Sequence, residues 1–247
     1  MTERSEHAEP GGALQIGAAD HQPLGKFYGE LFGWGLREAS EGFTLVDTRG
    51  GQGLNGGIGR SGTGEPWATF YVEVDDLQAY LDRAGALGGR TVLEITEFPG
   101  MAFAMFDDPD GLLVGLVRGG GSQDQVFQRP SAGDGAAVDW FEVLGADAGR
   151  SQAFYAELFG WTVPGGAYGQ VSPEGGRGIG GGIGAGGAER WATVYAGVAD
   201  VEAALARAEA LGGTRVYGPI QAGEGTRTGA FRDPAGNVFG VYHRAPS

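Results

Sequence analysis

The chain has 247 residues, 41% of them apolar and 19% charged, enough for two domains that each bury a core. Its 31 acidic residues against 17 basic ones leave a formal charge of −14, which argues against nucleic acid and anionic membrane surfaces as partners. There is no cysteine, so disulfides, thiolate zinc sites and thiol nucleophiles are excluded.

The first dozen residues, MTERSEHAEPGG, lack the apolar stretch of a secretory signal. They read as a disordered tail (residues 1–12), and a cytoplasmic protein is expected. No apolar run is long enough to span a membrane. Ala13–Ala18 reads as a short strand. Asp20 can cap a helix whose apolar face is Leu24, Phe27, Tyr28, Leu31 and Phe32, and Gly33 stands where a glycine ends such a helix. Trp34 begins another extended run, and Phe43–Asp47 and Leu54–Ile58 read as strands between glycine-rich turns. Trp67–Val74 (WATFYVEV) is strongly β-prone. Asp75 or Asp76 caps the next helix, with Leu77, Tyr80, Leu81, Ala84 and Leu87 on one face and Gly88 closing it. Val92–Ile95, Ala102–Phe106 and Leu112–Val117 follow as strands, the last two joined by the DDPDG turn at Asp107–Gly111. Residues 118–137 are polar, rich in Gly and Ser, and read as a mobile linker.

The order then repeats. Phe154–Trp161 (FYAELFGW) copies Phe27–Trp34 (FYGELFGW) apart from Ala156 for Gly29. Trp191–Val198 matches Trp67–Val74, and Asp233–Gly236 (DPAG) matches Asp108–Gly111 (DPDG). Val138–Leu144, Tyr168–Val171 and Ile179–Ile183 read as strands, with Asp147 and Asp200 as helix caps. The fold class is α+β, with four βαβββ modules, two to each repeat. Two GxGxxG matches, Gly51–Gly56 and Gly176–Gly181, are followed by more glycine and a strand, so they read as hairpin glycines and not as dinucleotide fingerprints.

The FYxELFGW helix, the strand–Asp–helix–LGG unit and the DPxG turn before a terminal strand, all present twice, resemble the vicinal oxygen chelate superfamily. This is the glyoxalase, bleomycin-resistance and ring-cleaving dioxygenase group, here in the two-domain form common in actinobacteria. The resemblance implies two tandem glyoxalase-like domains, 13–117 and 138–244, whose sheets curve into cups. It also implies a divalent metal in the metal-dependent members, held by His or Gln on the first strand, His on the strand before the second helix and Glu on the final strand. Carried onto this chain, those positions are Gln15, Thr69 and Gly115 in one half and Glu142, Thr193 and Gly240 in the other. Each half offers at most one ligand where about three are needed, so no metal and no other cofactor is expected.

Glu142 and Gln15 then hold equivalent, cup-facing positions. Glu142 is the candidate general acid or base, because an apolar cup raises a carboxyl pKa toward neutrality; the plainer reading is an inert, hydrogen-bonded glutamate. Since Gln15 is an amide, the second cup is the expected active one. Strand alternation puts Trp67, Thr69 and Tyr71 on one face, matched by Trp191, Thr193 and Tyr195. With Gln15 these are the expected ligand-binding residues, the rings stacking on a flat ligand, against the alternative of core packing. Tyr242, two residues beyond Gly240, is a second catalytic candidate as phenolic proton donor. The glycines at 115 and 240 leave room for a bulky ligand or a neighbouring aromatic. The expected function is metal-independent binding of a small cyclic or aromatic metabolite, by a tailoring enzyme of specialised metabolism working by isomerisation, cyclisation, elimination or in association with a hydroxylase. The alternative is a protein that sequesters a cationic drug. The expected partner is a small molecule, with the chain a monomer (an internal pseudo-dimer) or a homodimer.

Overall fold

Each repeat folds into one open sheet with two helices. The computed structural model describes residues 8–98, 101–119, 129–173 and 178–245. The first repeat runs β1 (Ala8–Ala18), α1 (Gln22–Phe32), β2 (Gly35–Ser40), β3 (Phe43–Asp47), β4 (Gly56–Arg60), β5 (Trp67–Val74), α2 (Leu77–Ala86), β6 (Arg90–Phe98), β7 (Met101–Asp107) and β8 (Leu113–Gly119). The second runs β9 (Val138–Gly145), α3 (Ala148–Phe159), β10 (Tyr168–Val171), β11 (Gly180–Ala185), β12 (Trp191–Gly197), α4 (Val201–Ala210), β13 (Thr214–Gln221), β14 (Thr226–Arg232) and β15 (Val238–Arg244). Strand order is β2-β3-β4-β1-β5-β8-β7-β6 in the first sheet and β10-β11-β9-β12-β15-β14-β13 in the second. The β1–β4, β5–β8 and β12–β15 pairs are parallel, while the β3–β4, β7–β8, β10–β11 and β14–β15 pairs are antiparallel.

The second sheet has seven strands where the module pattern leads to eight. The stretch equivalent to β2 contains Pro164, Gly165 and Gly166 and forms no strand. Proline cannot donate to a ladder and paired glycines weaken one. At the other end, β1 begins at Ala8, so residues 8–12 extend a strand instead of belonging to a tail. The Trp161 indole N–H fixes this extension by donating to the Ala8 carbonyl at 3.0 Å. Residues 1–7 of the expected tail and 120–128 of the expected linker lie outside the described residues. Residues 118–119 of the expected linker instead end β8, and its other described part, 129–137, is tied down: Ser131 donates to Asp47 through its backbone N–H (3.0 Å) and its hydroxyl (2.6 Å). Trp34 donates its indole N–H to the Ala136 carbonyl at 2.9 Å.

The chain divides into two compact units, each drawn from both repeats. One takes Met1–Gly12, Phe70–Gln128 and Phe141–Ala192; the other takes Ala13–Thr69, Arg129–Trp140 and Thr193–Ser247. In the latter, Phe27 and Phe32 of α1 pack on Phe231 and Phe239 of β14 and β15, with centroids 5.8 and 5.5 Å apart for Phe27–Phe231 and Phe32–Phe239. In the former, Phe154 and Phe159 of α3 pack on Phe106 of β7 at 6.2 and 6.4 Å. The duplicated helix of each repeat therefore covers the last strands of the other. Burial of each such ring contributes about 1.5–3 kcal/mol. The tyrosine beside each ring closes the arrangement. Tyr28 donates to Asp233 and Tyr155 donates to Asp108, both at 3.0 Å. The same aspartates hold their DPxG turns, Asp233 accepting from the backbone of Ala235, Gly236 and Asn237, and Asp108 from Asp110 and Leu112. Burial pushes both carboxyls above the usual aspartate range and both phenols up.

The helix ends follow local chemistry. Gly33 and Gly160 terminate α1 and α3 in the left-handed region, each at φ 72°. Asp76, Asp147 and Asp200 cap α2, α3 and α4 by accepting from the backbone of Ala79, Arg150 and Ala203. Asp20 stands one residue before the N-cap position of α1, and its carboxylate accepts from the Gln22 backbone N–H at 3.2 Å. His21 is the N-cap residue, and a proline in the first turn sets the entry. No helix among the described residues is long and apolar enough to cross a membrane.

Candidate functional site

On β9, alternation buries Phe141 and Val143 completely and leaves Glu142 between them half-buried. Two donors hold its carboxylate. The Trp191 indole N–H donates to Oε2 and the Tyr168 hydroxyl to Oε1, both at 3.1 Å. Trp191 is buried, whereas Tyr168 is 40% exposed. Tyr168 opens β10 directly across from Gly184 of β11. Its ring lies over Gly182 and Gly184, in the space that a side chain on either would fill. The glycine run of β11, GGGIGA, is thus a bed for this ring. An indole N–H is a donor only, so Trp191 orients the carboxylate without competing for a proton.

The other unit holds the counterpart. Gln15 on β1 pairs with Gly57 of β4, and Phe43 opens β3 across from Gly59. The Phe43 ring lies over Gly57 and Gly59 as Tyr168 lies over its two glycines. The Trp67 indole lies against Gly17, half-buried. The scaffold is the same, but an amide replaces the carboxylate and a ring without a hydroxyl replaces the phenol.

The positions at which the superfamily resemblance implies metal ligands carry other groups. Gly115 faces Tyr71 across the β5–β8 pair, and Gly240 faces Tyr195 across the β12–β15 pair. In each pair the tyrosine ring lies where a side chain on the glycine would go. The room left by these glycines is therefore taken by a neighbouring aromatic. Tyr71 and Tyr195 are each 2% exposed and Thr69 and Thr193 at most 1%, so all four offer almost no surface to a ligand. The Thr193 hydroxyl, expected near Glu142, donates instead to the Val238 carbonyl at 2.7 Å, as a buried hydroxyl must find an acceptor. Among the described residues no three His, Cys, Asp or Glu side chains cluster. A three-ligand centre of the superfamily type does not fit these residues.

Tyr242 donates to Asp139 at 2.6 Å, and Gln52 donates to the same carboxylate at 3.3 Å. Burial first, then the hydrogen bond to Asp139 and its charge, pushes the Tyr242 phenol well up, and burial raises the Asp139 carboxyl. The Arg244 guanidinium lies 5.9 Å from the rings of both Tyr242 and Trp140. Of the expected site residues, the structure brings Glu142 and Trp191 together, with Trp191 a donor to the carboxylate. The hydroxyl of Tyr242 is committed to Asp139. Two residues escaped the sequence reading. Tyr168 was visible as the phenol standing where the first repeat has Phe43. Asp139 was visible as a charge inside the apolar run VDWFEV.

A family profile described as a glyoxalase-like domain matches residues 13–117 and 139–242. The chain belongs to the glyoxalase-like family. It is 27% identical to the putative glyoxylase CFP32 of Mycobacterium tuberculosis over 268 residues, covering 100% of this chain and 99% of that one. It is also 27% identical to the anthracycline biosynthesis protein DnrV of Streptomyces peucetius over 256 residues, covering 92% and 90%. The Mn(II)-bound glyoxalase of Novosphingobium aromaticivorans shares the fold, with a TM-score of 0.69 at 15% identity over 96% of this chain and 83% of that one. So does homoprotocatechuate 2,3-dioxygenase of Arthrobacter globiformis, with a TM-score of 0.64 at 15% identity over 96% and 80%. The architecture is that of the vicinal oxygen chelate group, with two tandem glyoxalase-like domains.

Proposed function

We propose that the chain is a metal-independent enzyme of specialised metabolism that moves a proton on a small cyclic or aromatic metabolite, with Glu142 as the acid–base group. The observation that carries this reading is the half-buried carboxylate of Glu142, held at both oxygens by Trp191 and Tyr168. A carboxylate takes a proton from carbon or oxygen of the ligand and returns it to another atom of the same ligand. This is an isomerisation, and it needs no oxidant and no second substrate. The likeness to anthracycline biosynthesis proteins supports the metabolic setting. The glycines and threonines at the superfamily's ligand positions support a reaction without a metal. Gln15 and Trp67 are the matching ligand-facing candidates in the other unit.

The test is proton exchange. Benzo-fused cyclic ketones such as 1-tetralone are incubated with the protein in heavy water, and deuterium uptake is read by mass spectrometry. Wild type accelerates uptake, and Glu142→Gln loses about 10²–10⁴ of that acceleration while keeping ligand affinity. Equal uptake by the variant sinks the assignment. A second reading, sequestration of a cationic drug, is favoured by the net charge of −14. It requires that affinity for a cationic dye such as proflavine fall steeply with salt. Binding indifferent to salt removes it.

A further inference from the structure

We propose that Tyr168 is the ligand platform of the Glu142 site, and that the ligand is a flat ring system with a proton-donating group at its edge. This rests on Glu142 being the reactive group. One face of the Tyr168 ring is bedded on the backbone of Gly182 and Gly184, where any side chain would collide with it. The ring nevertheless remains 40% exposed, although most aromatic rings of the chain are buried. The exposed part of an aromatic ring seated on a flat floor presents a π-surface, and planar rings stack on such surfaces.

The edge of the same ring fixes what the ligand carries. The Tyr168 hydroxyl donates to Glu142 Oε1 at 3.1 Å, so a ligand lying on the ring has its rim beside that carboxylate. An ionised carboxylate only accepts hydrogen bonds. The matching ligand group is therefore a donor, either a phenolic or enolic hydroxyl or an acidic C–H next to a carbonyl. The glycine bed is a specificity element as well. It keeps the ring flat along β11, and a methyl group there would tilt it off the strand.

Binding of 1,4-dihydroxyanthraquinone, measured by quenching of tryptophan fluorescence in the full-length protein, tests the proposal. The 1,4-dimethoxy ether serves as the probe without donors. Tyr168→Ala is expected to weaken binding of the dihydroxy probe at least tenfold. Gly182→Ala, which retains Tyr168 and alters only its bed, is expected to weaken it severalfold. Tyr168→Phe keeps the platform and is expected to stay within about threefold, in line with loss of one hydrogen bond. The dimethoxy probe should bind at least tenfold more weakly than the dihydroxy probe to wild type. Circular dichroism of each variant establishes that it is folded, and Tyr168→Phe serves as the nearly isosteric control. Wild-type affinity in both Tyr168→Ala and Gly182→Ala, or no binding of the flat probe by wild type, overturns the platform. Those results leave Glu142 untouched if Glu142→Gln still loses proton exchange. Glu142→Gln that exchanges protons like wild type, beside a weakened Tyr168→Ala, overturns the catalytic reading and leaves the platform standing.

Discussion

The two repeats carry the same small device in two chemical states. In the second, Glu142, Tyr168 and Trp191 form a carboxylate held by a phenol and an indole. In the first, Gln15, Phe43 and Trp67 occupy the same places, and Phe43 rests on Gly57 and Gly59 as Tyr168 rests on Gly182 and Gly184. The glycine bed, the flat ring and the tryptophan are retained in both, while the ionisable group and its hydroxyl partner differ together. A carboxylate that lost its hydroxyl donor would forfeit a charge-assisted hydrogen bond worth about 1.5–3 kcal/mol. The pairing of Glu with Tyr and of Gln with Phe is the physically consistent one. The glycine-bedded ring is common to both repeats, and the two polar substitutions are what distinguish them.

The tyrosine-covered glycines and the Tyr–Asp locks are common to both repeats, and substitutions there should affect both equally. The largest effect on stability is expected at the glycines beneath the tyrosine rings. Gly115→Glu and Gly240→Glu should each destabilise by about 1–3 kcal/mol, because the new side chain must displace Tyr71 or Tyr195. Chemical denaturation measures this, and a rise in the unfolding midpoint on adding Mn(II) would show that the carboxylate completes a metal centre after all. Next come the two reciprocal locks. Tyr28→Phe and Tyr155→Phe each leave a buried aspartate short of a donor and should cost about 1–3 kcal/mol. A large difference between the two would mean that the units are not built alike.

A smaller effect separates the repeats again. Asp139, with a carboxyl raised by burial, takes up its proton more readily folded than unfolded. Its ionisation therefore lowers stability as pH rises through the acid range, from the usual aspartate value near about 4 upward. Asp139→Asn keeps an acceptor for Tyr242 and removes that titration. The stability gap between Asp139→Asn and wild type should widen in favour of the variant from acid to neutral pH. A gap that does not change with pH would mean that the carboxyl is not desolvated.

Most of the scaffold was legible in the sequence. The FYxELFGW copies, the capping aspartates and the DPxG turns each have a local cause, and the helices and hairpins appear where those causes place them. The partner of each duplicated helix was not legible. Nothing local in Phe27 or Tyr28 says that their contacts come from Phe231, Phe239 and Asp233 in the other repeat. Glu142 and the empty metal-ligand positions could be read by aligning the repeats. The donors to Glu142 could not, because Trp191 and Tyr168 reach it across strands whose neighbours depend on sheet order. Alternation placed Tyr71 and Tyr195 on a face but did not reveal that each covers a glycine on the neighbouring strand.

Deuterium uptake and probe affinity measured on the same preparations of wild type and Glu142→Gln address the role of the second repeat most directly. Glu142 as the base predicts that the variant binds 1,4-dihydroxyanthraquinone yet loses about 10²–10⁴ of the exchange rate on 1-tetralone. Undiminished exchange in Glu142→Gln would contradict it.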